Sequence, residues 1–361
     1  MRRTKAERTE QQNNSRLEIS GVLLLALGCF AAAAYFGLPT GTIGAFIDKV
    51  MNYTLGKGAF LFPLACIVLG IRFSFSHKIV IDVPFNHTMP IPEYAKEYIA
   101  DEFRNAISQL EVICGRPFDW KKFQEVKAQT QRSVYQWNRI ADFTKYKPSP
   151  LNGFDLFNYM ALIVAARSLD YSEITFKAFA DELEENLKAG IYAFKGAEKT
   201  RIQWEGIAVW PHLGHTFKTL KNMGTIMTGS AYPAIWDLTY DANDESLHSM
   251  AEAYTRTYIN TCLSNKAAVL MDIMEHGKVD GVVYHLNRSC KLMSFLNVET
   301  AEIIKEKNGL PYVSFDGDQT DPRVYSPAQY ETRVQALVEM MDRRISCRRL
   351  PVREMPRCRI P

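Results

Sequence analysis

The chain has 361 residues, 47% of them hydrophobic, and a formal net charge of +3. That length leaves room for two or three domains, and that composition is ordinary for a globular protein. The charge misleads, because residues 343–361 hold seven arginines against Glu354 alone; the remainder is mildly acidic and offers no general nucleic-acid surface. The seven cysteines, Cys29, Cys66, Cys114, Cys262, Cys290, Cys347 and Cys358, are odd in number, scattered and without a CxxC pair. This argues against a disulfide framework and a zinc ribbon, and for a reducing compartment.

Residues 1–16 are polar and mostly basic. Ile19–Leu38 then runs without a charge for about the 20 residues that a bilayer-spanning helix needs. Ala32-Ala33-Ala34 imitates a signal-peptide cleavage site, but the apolar core is too long and the leader too acidic. Gly58–Ile71, closed by Arg72, reads as the return leg of a hairpin, and basic flanks place both ends in the cytoplasm. The expectation is a transmembrane hairpin over residues 1–75, inserted through residues 19–71, with a cytoplasmic C-terminal part. Gly41–Asp48 and Gly56–Leu64 resemble part of the membrane domain of septal and sporulation DNA translocases. The G-x-x-x-x-G-K-[ST] loop of the translocase motor is absent, so no translocase function follows.

Lys78–Pro84 has the composition of a strand, and helices are predicted over Pro92–Ile113 and Trp120–Ala141. One strand followed by helices makes residues 76–145 the remnant of a first α/β domain. Helices over Phe154–Ser168 and Ser172–Ala189, bracketed by turn-rich stretches, form a connector over 146–200. Residues 201–343 alternate more clearly. Strands are predicted at Gly206–Trp210, Thr225–Thr228, Gly281–Leu286 and Pro311–Phe315, with helices at Gly214–Asn222, Ser246–His276, Met293–Lys307 and Ser326–Met341. The fold class expected is α/β, with a parallel flavodoxin-like sheet whose working loops gather beyond the carboxyl ends of the strands. Residues 344–361 read as a basic disordered tail.

The loop Asn287–Lys291 (NRSCK) follows the third of these strands. It sets Cys290 between Arg288 and Lys291, and the residues alone leave metal ligand, nucleophile and plain strand-end cysteine open. A nucleophile needs a histidine. His212 lies at the neighbouring strand end, while strand alternation turns His285 toward the helices. Asp316, Asp318 and Asp321 fit either a hard-cation site or a turn that caps the next helix. Trp204, Trp210, Tyr232 and Trp236 fit a core and pocket wall, or a stacking platform.

Gly281–Ser294 (GVVYHLNRSCKLMS), Tyr312–Arg323 (YVSFDGDQTDPR) and Tyr330–Val338 (YETRVQALV) together resemble the 2-hydroxyacyl-CoA dehydratase family, which includes benzoyl-CoA reductase subunits. The likeness covers roughly residues 76–343. It implies a heterodimer with a second dehydratase subunit, a 4Fe-4S cluster held by cysteines of the α/β domains, and an ATP-dependent iron–sulfur activator protein. The implied reaction takes a 2-hydroxyacyl-CoA through a ketyl radical to the enoyl-CoA. On this resemblance Cys290 matches a cluster-ligating cysteine, and His212, Tyr232, Arg288 and Asp318 are candidate substrate-binding residues. The family's complete first α/β domain, which supplies the other cluster cysteines, is not matched. The expectation is therefore a truncated subunit, joined to a foreign membrane segment and tail as in a rearranged reading frame. A membrane-anchored scaffold without a cluster is the alternative.

Overall fold

The computed structural model describes residues 90–349 without interruption, preceded by residues 81–85 and by short stretches between 20 and 67. Contacts divide the chain into two compact units, residues 1–81 with 104–118, and residues 82–103 with 119–361. In the first, a helix over 23–35 buries Ala31, with Tyr35 and Ile47 packed against it. Among the described residues no helix is long and apolar enough to cross a membrane. The transmembrane hairpin, and the membrane localisation that rested on it, are corrected accordingly. The charge-free run Ile19–Leu38 yields a described helix that is over by residue 36, short of the roughly 20 residues a span needs. Most of the expected return leg, residues 58–62 and 68–71, lies outside the described residues.

The second unit is a parallel sheet with helices on both faces and a helical layer beside it. Helix α1 (Glu93–Cys114) belongs to this unit up to Phe103 and to the first unit from Arg104. It is followed by α2 (Trp120–Asp142), whose start is fixed by Asp119: its carboxylate accepts the Lys122 backbone N–H at 2.9 Å. Helices α3 (Phe154–Ala165) and α4 (Asp170–Lys188) follow. Val134, Trp137 and Ile140 of α2, Leu156, Met160 and Ile163 of α3, and Phe176, Ala180 and Leu183 of α4 close one apolar core among themselves.

The sheet is built from β1 (Thr200–Glu205), β2 (Thr225–Gly229), β3 (Gly281–Asn287) and β4 (Tyr312–Gly317), in spatial order β2-β1-β3-β4 and parallel throughout. Between β1 and β2 runs α5 (Leu213–Asn222). Between β2 and β3 run α6 (His248–Thr255) and α7 (Leu263–Gly277). Helix α8 (Asn297–Asn308) links β3 to β4, and α9 (Pro327–Arg349) follows. One sheet face, with Ile202, Trp204, Met227, Val283 and Phe315, packs on α5 and α9. The other, with Val282 and Tyr284, packs on Leu270 and Met274 of α7 and on Ala301 and Ile304 of α8. Both faces are covered, as all-parallel sheets require.

Several predicted bounds shift. Gly206–Trp210 is not a strand; β1 lies one segment earlier, where Arg201 and Glu205 had disguised it. The expected helix Ser246–His276 is broken by a turn of 3-10 helix at Tyr258–Asn260, because Tyr258 turns in to pack beside Met293. Met293–Lys307 is likewise divided, into a single turn Lys291–Ser294 and α8. The chain over 81–85 forms no strand, residues 78–80 lie outside the described residues, and α9 runs on to Arg349.

Arg201, fully buried at the start of β1, holds these pieces together. Its guanidinium donates to the buried Glu198 carboxylate at 2.6 Å, to the carbonyls of Thr144 and Gly277 at 3.0 Å each, and to that of Tyr146. Its own backbone N–H donates to Asp280 Oδ2 at 2.9 Å, just before β3. Replacing Arg201 by Met keeps the length but leaves Glu198 buried without a counter-charge, and removing one partner of a buried pair costs about 3–5 kcal/mol. Urea unfolding of Arg201→Met is expected to show a loss of that size. A loss below about 1 kcal/mol would mean that the guanidinium does not hold the sheet.

Candidate functional site

In an order of β2-β1-β3-β4 the connections diverge on either side of β1, and the crevice beyond the carboxyl ends of β1 and β3 is where such sheets bind ligands. The loops that meet there are Gly206–His212, after β1, and Asn287–Lys291, after β3. Gly206 has φ +104°, and a Cβ on it would sit 2.6 Å from the His285 carbonyl oxygen, so glycine alone lets the β1 chain turn away over β3. The same histidine constrains β4, since a Cβ on Gly317 would sit 2.5 Å from His285 Nε2.

The two loops after β3 and β4 are joined by one carboxylate. Asp318, buried just past β4, accepts the backbone N–H groups of Ser289 at 3.0 Å, Thr320 at 2.9 Å and Asp321 at 3.0 Å. It also accepts the hydroxyls of Thr320, at 3.1 Å, and of Ser289. The Ser289 hydroxyl, then the Asp321 and Thr320 N–H groups, hold its carboxyl far below the usual carboxylate range. Asn287 adds to the same fixation, its Oδ1 accepting the Ser289 N–H at 3.1 Å and its Nδ2 donating to Gln319 at 3.2 Å. Ser289 is thus held on both sides, and the next residue is Cys290.

Cys290 is partly buried and opens the helical turn Lys291–Ser294, in which the Ser294 N–H returns to the Cys290 carbonyl at 3.2 Å. Its side chain packs on the apolar cluster containing Tyr258, Met293 and Tyr232. Of the four candidate substrate-binding residues, Tyr232 is brought to this neighbourhood. Burial raises its phenol, opposed by the hydrogen bond from Trp210, with Cys290 adding to the rise. Arg288 and Lys291 extend into solvent on either side. His212 stacks on Tyr325 with centroids 4.6 Å apart, and its Nε2 meets the Pro322 carbonyl at 3.2 Å. His285 is fully buried, its ring stacked on Phe315 and its Nδ1 bonded to the Ile207 carbonyl. Both histidine rings are engaged away from Cys290. Asp318 uses its carboxylate within the loops. Asp321 is closed by Arg323 at 2.7 Å, which gives the aspartate run the geometry of a turn. Of the aromatics, Trp204 is core, Trp210 and Tyr232 pack on Phe157, and Trp236 lies under the Arg167 guanidinium.

Two buried charged residues, Glu205 and Lys266, were not anticipated. Glu205, the last residue of β1, is 0% exposed, and neither of its oxygens makes a hydrogen bond of good geometry. Gln203 and Tyr258 come close enough to favour its charge, but the Tyr258 hydroxyl is aimed at Met293 Sδ, 3.4 Å away. Lys266, 3% exposed at the start of α7, donates to Asn297 Oδ1 at 3.2 Å and to the Phe295 carbonyl at 3.4 Å. It makes no ion pair with Glu205. Burial pushes the Glu205 carboxyl up to about 7, opposed first by the charge on Lys266 and then by Gln203 and Tyr258. Burial lowers the Lys266 ammonium. The signal was present in period 2: Arg201, Gln203 and Glu205 alternate with Ile202 and Trp204.

A cubane iron–sulfur cluster needs several thiolates on one site. Cys290 is the one cysteine of these loops, and among the described residues no three His, Cys, Asp or Glu side chains gather as a metal site. The described residues by themselves do not fit a complete cluster.

Comparison with known proteins gives the family. Residues 58–341 match the family model of the 2-hydroxyglutaryl-CoA dehydratase D-component. The match includes the supposed return leg 58–71, so that segment goes with this family and the translocase resemblance is not supported. The chain is 87% identical over 264 residues to the lactoyl-CoA dehydratase subunit alpha of Anaerotignum propionicum, covering 73% of this chain and 63% of that one. It is 45% identical over 267 residues to the (R)-2-hydroxyisocaproyl-CoA dehydratase alpha subunit of Clostridioides difficile, covering 74% and 65%. It is 39% identical over 264 residues to the (R)-2-hydroxyglutaryl-CoA dehydratase subunit alpha of Acidaminococcus fermentans, covering 73% and 54%. The chain spans less than two thirds of the length of each of these relatives.

Glu205 sets a pH signature. Its folded value, about 7, lies above the ordinary 4.5, so the folded state holds the proton more tightly. The stability this confers is complete below about pH 4.5 and is lost as pH rises to about 7. Glu205→Gln should remove that slope. Thermal or urea unfolding should find the wild type losing about 3 kcal/mol relative to the variant across this window, from about 1.4 kcal/mol per unit. Parallel curves for the two proteins would refute the buried-acid reading.

Proposed function

We propose that this chain, which belongs to the 2-hydroxyglutaryl-CoA dehydratase D-component family, is part of the alpha-type subunit of an (R)-2-hydroxyacyl-CoA dehydratase. The reaction removes water from a 2-hydroxyacyl-CoA to give the enoyl-CoA. The observation that carries this reading is the placement of the family's RSCK loop: Cys290 stands at the β1–β3 crevice, on a serine clamped by Asp318. The sheet order is consistent with a flavodoxin-like arrangement. Because a relative 87% identical is named for lactoyl-CoA, a short acyl chain such as lactoyl is the first substrate to try.

In this reading Cys290 is one ligand of a 4Fe-4S cluster, and the other thiolates come from outside the described residues. The cluster would supply one-electron chemistry; no step through it is derived from the residues described. Tyr232, Arg288 and His212 are assigned to the substrate, with Arg288 offering a solvent-facing cation suited to a CoA phosphate and Tyr232 a phenol at the crevice. Asp318 is assigned to holding Ser289 and hence Cys290, since five donors within the loops already engage its carboxylate. A second dehydratase subunit and an ATP-dependent iron–sulfur activator complete the system.

The test is anaerobic purification together with a partner subunit, followed by iron and acid-labile sulfide analysis and turnover of (R)-lactoyl-CoA with activator and ATP. Cys290→Ala should lower the iron content and reduce dehydration by roughly 100-fold or more, beyond the loss usual for residues that only support a ligand. Unchanged iron and turnover in Cys290→Ala would remove it from the ligand set.

A further inference from the structure

The segment that follows Cys290 is held at a strained joint. The turn Lys291–Ser294 meets α8 at Leu296, a leucine with φ +66° in the left-handed region that favours glycine. Phe295, beside it, is 66% exposed and gains little from packing. What fixes this joint from below is the buried Lys266, whose ammonium reaches the Phe295 carbonyl and Asn297 Oδ1. The same ammonium stands 5.9 Å from the Tyr258 ring centroid, and its charge acts on the carboxyl of Glu205, which is fully buried and without a well-formed hydrogen bond. Lys266 is thus hydrogen-bonded to the joint and not to Glu205.

We propose that Glu205 is a positioning residue for Cys290 that acts through Lys266: with the carboxyl uncharged, Lys266 pins Phe295 and Asn297, and ionising Glu205 draws the ammonium across and frees the joint. The physical reason is the low dielectric. A carboxylate formed there is shut off from bulk solvent, and the cation whose charge acts on it is Lys266, which gives up two bonds to neutral oxygens for one to a charge. The other titratable groups facing this pair are Tyr258 from the 3-10 turn and Tyr284 from β3, whose hydroxyl is likewise without a partner, with Glu299 of α8 facing Lys266. Both phenols are held neutral by burial, so Lys266 is the cation that answers. That Cys290 is the functional thiol rests on the reading above; the latch itself does not.

The test follows alkylation of Cys290 by iodoacetamide, read by peptide mass spectrometry on the metal-free full chain from about pH 5.5 to about pH 8.5. Dividing the wild-type rate by that of Glu205→Gln cancels the thiol's own titration. The ratio should stay near one at low pH and rise about fivefold as Glu205 ionises, the size of a modest shift in local opening. Lys266→Met should react fast at every pH. A ratio flat across the range overturns the proposal, as does a Lys266→Met rate equal to that of wild type at low pH. Should Glu205→Gln fail to fold, wild-type amide exchange at residues 295–297, expressed as protection, must fall through the same window, and constant protection overturns it equally. A flat ratio with iron retained would sink the latch and leave the ligand assignment standing; the reverse result would separate them the other way.

Discussion

Everything described at the crevice depends on β1 lying in register between β2 and β3, and that register begins at a buried guanidinium. Arg201 spends its donors on one carboxylate and three carbonyls drawn from three separate parts of the chain. An isolated buried charge is costly, but a planar fork that meets an acceptor in each direction recovers much of that cost and tolerates few alternative geometries. With Arg201 and Asp280 tied, Ile202 pairs with Gly281 and the ladder runs on to Glu205 opposite Tyr284. A slip of one residue would turn Gln203 and Glu205 into the aromatic face and Trp204 out of it.

The two faces of the sheet then take different tasks. On the α5 and α9 side, Phe315 meets Trp204, Tyr325 and Tyr330 edge to face, and Tyr325 meets Tyr330 at a tilt, with little freedom to rearrange. On the α7 and α8 side the interior is partly polar, with Gln203, Glu205 and Lys266 buried and Tyr258 in the cluster on which Cys290 packs.

How much of this the amino-acid order reveals varies by element. β3, β4 and the loops after them are legible because uncharged β-branched runs end in specific polar motifs. β1 is not, since Thr200–Glu205 carries two ionisable residues whose burial only the tertiary structure explains. The break at Tyr258–Asn260 has no glycine or proline to announce it; it follows from Tyr258 filling a space beside Met293. The charge-free run Ile19–Leu38 has the composition of a membrane span, and length was its only discriminator. Cys290 was found through its motif, whereas Glu205 and Lys266 are distant in sequence and their burial comes only from the tertiary fold.

The central position of β1 also orders assembly in time. β3, α8 and β4 form a contiguous unit whose strands can pair across one short crossover, from Val282 with Tyr312 to Asn287 with Gly317. The β1–β3 ladder must instead close a far longer loop, and the entropy of closing it is met before its contacts contribute. A nascent chain therefore has the Asp318–Ser289 clamp available from local sequence, while the crevice opposite it appears only once the first strand of the sheet has been captured. The thiol loop is shaped early and its setting late.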